Sequence, residues 1–196
     1  MTGRRSTTRL AALATTLVLP LVAAPAAAES VTVLDPPGDM VRVEEGGAHP
    51  QPAPGARVGD VVRTTFRHTA GRVVVRTELA ALERTGRRFN VWVDVQDGAR
   101  RTRTVGVEAT RRDRDGHTIF LTGRGRDVRC ALRHRIDYAD DVVRVSVPRR
   151  CLGTPRVVRF RLLTEHVRRS WRYAWLDNGL AVRMDDRHWT RWLARG

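Results

Sequence analysis

The chain has 196 residues, 36 basic and 21 acidic, and a formal net charge of +15, and every basic residue is arginine. That length fits one domain with a real hydrophobic core rather than a string of domains. The charge favours anionic surroundings and solubility but specifies no fold. Two cysteines without Cys or His at zinc spacing exclude a zinc module.

Residues 1–28 carry the marks of an export leader. Arg4, Arg5 and Arg9 form a positive start, an apolar run extends from Leu10 to Ala24, and Ala26-Ala27-Ala28 offers a cleavage site before Glu29. Thr15, Thr16 and Pro20 interrupt the run, which makes it a poor membrane span of about 20 apolar residues. Ser6-Thr7-Thr8 follow the arginine pair where a twin-arginine leader has hydrophobic residues, so the general secretory route is preferred. The mature chain is expected to begin at Glu29, outside the cytoplasm, with a charge of +12 once the leader's three arginines are gone. No transmembrane segment is expected after cleavage. In an oxidising compartment Cys130 and Cys151 are expected to form a disulfide.

From Glu29 onward the period is two. Val31–Leu34 reads as a strand, stopped by Asp35-Pro36-Pro37-Gly38-Asp39 and resumed at Met40–Val43. Residues 44–59 are rich in Gly and Pro and read as a surface loop, so 29–59 is expected to pack on a single sandwich domain spanning 60–196. Val62, Thr64 and Phe66 share a strand face, and Ala70-Gly71 turns the chain into a strand from Val73 to Leu82. Phe89, Val91, Val93 and Val95 alternate, with Trp92 and Asp94 opposite, and Asp97-Gly98 turns into a strand from Arg101 to Thr110. Further strands are expected over His117–Thr122, Val128–Ile136, Val142–Val147 and Val157–Leu163, with one helical turn between Pro148 and Gly153. Trp171–Trp175 reads as the last long strand. Asp185 or Asp186 is placed to cap a short C-terminal helix with Trp189, Trp192 and Leu193 on one face. Eight to ten short strands with regular turns predict an all-β antiparallel sandwich, with a closed barrel as the alternative.

Several of these pieces combine: Asp35-Pro36-Pro37-Gly38-Asp39, Gly59-Asp60-Val61, Val91-Trp92-Val93-Asp94, Asp137-Tyr138, Asp141-Val142-Val143, Val147-Pro148 and Cys151-Leu152-Gly153. Together they resemble secreted β-sandwich proteins of high-GC Gram-positive bacteria, distantly similar to DOMON and carbohydrate-binding sandwich modules. The likeness runs from Val31 to Leu163. It implies a ligand-binding or structural sandwich rather than an enzyme, and it transfers no functional residue.

Three groups of side chains are candidates for chemistry. If Trp171, Tyr173 and Trp175 alternate on one strand face, they form an aromatic ladder about 13–14 Å long. Turned outward, it would stack on sugar rings while Arg168, Arg169 and Arg172 hold negative groups; turned inward, it would fill the core. Carboxylates gather at turns, where aspartate usually bonds its own backbone; no cofactor is expected, and Asp35 with Asp39 is the first choice for a calcium site if there is one. Catalysis is poorly supplied: Ser30, Ser146 and Ser170 lie in no nucleophile-elbow motif, His68, His117, His134 and His166 are scattered, and no H-E-x-x-H occurs. The expected protein is a secreted, monomeric, non-enzymatic sandwich that binds an extracellular glycan or an anionic envelope polymer. Sequence-specific nucleic acid is not expected as a partner. A structural or protein-interaction module without a small ligand is the alternative, and a hydrolase the lesser one.

Overall fold

The computed structural model describes residues 28–47, 49–180 and 188–196. Residues 1–27, which hold all but the last residue of the expected leader, and the expected helix caps Asp185 and Asp186 lie outside the described residues. In chain order the strands are β1 (Glu29–Leu34), β2 (Val41–Glu44), β3 (Gln51–Pro52), β4 (Val61–His68) and β5 (Arg72–Leu79). They continue as β6 (Arg88–Asp97), β7 (Thr102–Thr110), β8 (His117–Thr122), β9 (Arg133–Asp137) and β10 (Val142–Pro148). A 3-10 turn, Arg149–Leu152, precedes β11 (Val157–Val167), β12 (Tyr173–Asp177) and β13 (Leu193–Ala194).

These strands make two open antiparallel sheets, not a closed barrel. The first has the order β1-β4-β5-β10-β9, and the second β3-β2-β12-β11-β6-β7-β8, with β13 also paired to β11. Alternation explains the layering. Phe89, Val91, Val93 and Val95 of β6 turn one way, Val105 and Val107 of β7 join them, and Val158, Phe160 and Leu162 of β11 complete that inner face. Phe66, Val73, Val75, Val143, Val145 and Val147 answer from the first sheet. Phe66 stacks on Phe160 across the gap, with centroids 4.8 Å apart and planes 19° apart. On the outer face Trp92 stands opposite Gly106 in the β6–β7 register. A Cβ on Gly106 would lie 2.4 Å from the indole Cζ3, so the ring occupies the space that only glycine leaves.

Three local outcomes differ from the sequence expectations. Residues 29–59 do not merely pack on the domain: β1 is an edge strand of the first sheet, whereas β2 and β3 belong to the second. Pro36, Pro37 and the positive φ of Gly38 (+92°) end the first ladder and throw the chain across to the other sheet. The strand expected over Val128–Ile136 is confined to Arg133–Asp137. Before it, Val128 N–H donates to Phe120 O, and the disulfide draws Cys130 to within 6.2 Å of Cys151, Cα to Cα, at the 3-10 turn.

The third difference is the C-terminal helix. Residues 188–192 have no helical structure, and Leu193–Ala194 pair with Val157–Val158 as β13. The edge of β11 left open beyond β12 provides backbone partners that a helix could not satisfy: Thr190 N–H donates to Phe160 O, and Phe160 N–H to Thr190 Oγ1. Leu193 then points into the core while Trp192 is partly exposed, a period of two rather than 3.6. The Pro148–Gly153 turn is formed as expected, closed by Gly153 at φ +80°.

Candidate functional site

Three chain segments converge at one end of the second sheet because the registers put their ends together. Arg88 opens β6 opposite Thr110 at the end of β7 and opposite Val167 at the end of β11. The β5–β6 link, the β7–β8 turn and the β11–β12 link therefore surround one open concavity of about 1160 Å³. Seven arginines line it (Arg87, Arg88, Arg111, Arg112, Arg114, Arg168 and Arg169) against one glutamate, Glu108, with Trp171 at its side.

Two of these arginines are built into the wall. Arg88 Nη2 donates to Glu165 Oε1 at 2.8 Å, and Asn90 Nδ2 donates to the other oxygen of Glu165 at 2.6 Å. Arg114 donates to the carbonyls of Thr85 and Gly86 at 3.0 and 2.8 Å, which ties the β7–β8 turn to the β5–β6 link. Arg111, Arg112, Arg168 and Arg169 are exposed, and among the described residues none has a carboxylate partner. Trp171 is 49% exposed, with the guanidinium carbons of Arg88 and Arg87 at 4.5 and 5.5 Å from its ring centroid.

The expected aromatic ladder is divided. β12 begins only at Tyr173, and Trp171 sits in the preceding turn. Tyr173 and Trp175 share a face, with centroids 6.5 Å apart and planes inclined by 56°, so they form no flat platform. They lie on the side of His166, its register partner being Trp175, while Trp171 reaches Arg88 on the opposite face of the sheet. Neither ring of the pair belongs to the buried core, and both are covered by cations. Arg168 sits 4.4 Å from the Trp175 centroid, and Arg42 and Arg172 sit 5.1 and 5.3 Å from that of Tyr173. Arg172 is in turn held by Glu44 at 2.8 Å. The structure thus brings Trp171, Arg168 and Arg169 to the groove and places Tyr173, Trp175 and Arg172 in a neighbouring patch. Arg87, Arg88, Arg111, Arg112 and Arg114 complete the groove; as residues at hairpin ends they look merely solvated in sequence, and only the strand registers bring them together.

Asp35 and Asp39 meet a third carboxylate, that of Asp177, with one oxygen of each lying within 4.8 Å of the others. Asp60 adjoins them: its Oδ2 accepts the N–H of Gly38 at 2.9 Å, in the turn that joins Asp35 to Asp39. Burial, then the charges of Asp177, Asp39 and Asp60, pushes the Asp35 carboxyl up to about 8. Burial is also the main reason that Asp177 is raised to about 7 and that Asp39 and Asp60 are raised.

His166 underlies the groove. Its ring is buried, neither nitrogen has a hydrogen-bond partner, and a Cβ on Gly86 would lie 2.6 Å from Nε2. Burial first, and then the charge of Arg168, lowers its pKa to about 4. A histidine lowered on folding contributes no penalty above the unfolded value near 6.5 and destabilises the fold as pH falls from there towards 4. Wild type should therefore lose on the order of 2 kcal/mol between pH 7.5 and 4.5 relative to His166→Leu. Urea unfolding at the two pH values checks this, and parallel losses in the two proteins would refute it. His117, in contrast, is half-exposed and stands 3.7 Å from Glu108 and 3.9 Å from Asp113, beyond hydrogen-bond reach of either.

No protein-family model, curated protein or solved structure matches this chain.

Proposed function

We propose that this is an exported, monomeric β-sandwich that binds an anionic extracellular polysaccharide or related envelope polymer in the arginine groove. The observation that carries the reading is the convergence of seven arginines from three separate links on one concavity flanked by a half-exposed tryptophan. Among the described residues only Arg88 of the seven has a carboxylate partner, and Arg87, Arg111, Arg112, Arg168 and Arg169 are exposed, so a polyanion gains by releasing counterions on contact. Arg88 and Arg114 are fixed by Glu165 and by backbone carbonyls, which leaves a preformed wall. Trp171 offers a ring for stacking on a sugar. An open concavity of about 1160 Å³ suits a chain of repeating units better than one small ligand, whose pockets are usually about 300–1,000 Å³ and enclosing. Export is supported by the leader pattern of residues 1–28 and by the Cys130–Cys151 disulfide.

The test compares wild type with Arg111→Gln, Arg112→Gln, Arg168→Gln and Arg169→Gln combined. The probes are a uronic-acid polymer, inorganic polyphosphate and a neutral glucan, at 50 and 200 mM salt. Wild type should bind the two polyanions, with affinity falling steeply as salt rises, and should ignore the glucan. The fourfold variant should bind at least tenfold more weakly with a shallower salt dependence. A control with Arg67, Arg124, Arg126 and Arg144 replaced by Gln removes the same charge from exposed sites elsewhere and should lose far less. Equal losses in the two variants, or binding indifferent to salt, would refute the groove.

A further inference from the structure

We propose that Asp35, Asp39, Asp60 and Asp177 form a calcium site that pins the two sheets together where the chain crosses between them. Asp35 follows β1 and Asp60 precedes β4, both strands of the first sheet. Asp39 precedes β2 and Asp177 ends β12, both of the second. One ion among them would join both layers.

The geometry fits such an ion. Two oxygens bound to one calcium at 2.3–2.6 Å can be no more than about 5 Å apart, and the oxygens of Asp35, Asp39 and Asp177 meet that limit at 4.8 Å. Asp60 gives independent support. It is 1% exposed, its Oδ2 is anchored by the Gly38 N–H, and its buried Oδ1 has no partner. Asp35, 6% exposed, likewise has a buried, unpartnered Oδ2. Asp177 is oriented by the Val61 N–H, which donates to its Oδ2 at 2.6 Å. Buried carboxylate oxygens without donors are costly unless a cation or a proton satisfies them. Among the described residues no arginine forms an ion pair with any of the four; Arg57 acts on Asp60 only through its charge at a distance. Burial raises all four carboxyls, and the charges of neighbouring aspartates add to it at Asp35, Asp60 and Asp177, a strain that a bound cation would relieve.

The donor set selects the metal class. All-oxygen, all-carboxylate ligands from three separated segments suit a hard ion of high coordination number. Zinc favours nitrogen and sulfur, and magnesium usually keeps its waters and takes one or two carboxylates.

The test uses the purified mature chain, freed of metal with EDTA and dialysed, then titrated calorimetrically with calcium, magnesium or zinc chloride. The expected result is one calcium per chain, bound more tightly than magnesium or zinc. Free calcium at a hundredfold excess over Kd should raise Tm by about 5–10 °C. Asp60→Asn keeps an oxygen for Gly38 N–H but removes a charge. It should weaken calcium binding at least tenfold and melt higher than wild type in EDTA, because repulsion is relieved. If that variant does not fold, Asp39→Asn, at the less buried position, is read by the same criteria. Unchanged Tm between calcium and EDTA, tighter binding of magnesium or zinc, or wild-type calcium affinity in the folded variant would each overturn the site.

Discussion

Phe160→Ala is expected to destabilise the protein by about 4 kcal/mol, which lowers the folding equilibrium roughly a thousandfold. Phe160 is fully buried midway along β11, and its ring stacks on Phe66 from the opposite sheet at 4.8 Å. It is therefore a central contact between the two layers. Truncation removes the apolar contact of both rings and leaves a void that cannot collapse readily. The backbone on either side is locked, since Phe160 pairs with Val95 on β6 and exchanges hydrogen bonds with Thr190 on its other edge. Phe160→Leu keeps much of the volume and should cost considerably less. Urea titration of the three proteins gives the ordering directly. A loss below 1 kcal/mol for the alanine variant would mean that the sheets do not depend on this stack.

Removing the disulfide with Cys130→Ala and Cys151→Ala together is expected to cost roughly 3 kcal/mol, from the loop entropy released to the unfolded chain. The bond closes a loop with a sequence separation of 21 residues that contains β9 and β10. Among the described residues β9 pairs with β10 alone and forms an edge of the first sheet, so few other contacts restrain it. Unfolding of wild type with and without a thiol reductant should reproduce the difference, and hydrogen exchange should rise first over Arg133–Asp137. Identical unfolding midpoints under reducing and oxidising conditions would show that the bond adds no stability.

Both results concern features legible in the sequence to different depths. The alternation at Phe89–Val95 and the turn at Asp97-Gly98 are local, and the hairpin follows from them. The Pro148–Gly153 turn follows from one proline and one glycine, and the cysteine pairing from a count of two in a chain expected to be exported. The aromatic ladder is not local in this sense. Trp171, Tyr173 and Trp175 share a face only if the strand begins before Trp171, and β12 begins after it because β2 pairs from Tyr173 onward. The C-terminal residues 188–196 illustrate the same limit: Trp189, Trp192 and Leu193 suit a helix face, but the open edge of β11 supplies hydrogen-bond partners that only an extended chain can use.

The candidate sites divide along the same line. Asp35 and Asp39 are neighbours in the chain, so their association across a Pro-Pro-Gly turn can be read directly from the sequence. Asp60 and Asp177 join them only because β4 begins and β12 ends beside that turn, in different sheets. In the groove, Arg168 and Arg169 are conspicuous beside Trp171, yet Arg87, Arg111 and Arg112 acquire meaning only from the registers of β6, β7 and β11. By itself the sequence determined the all-β class, the turns and the residues that alternate inward, because backbone geometry and burial act on near neighbours. Which strands pair, and therefore which charges face one another, was decided by the tertiary structure, where hydrogen bonding of strand edges and closure of the core act between residues far apart in the chain.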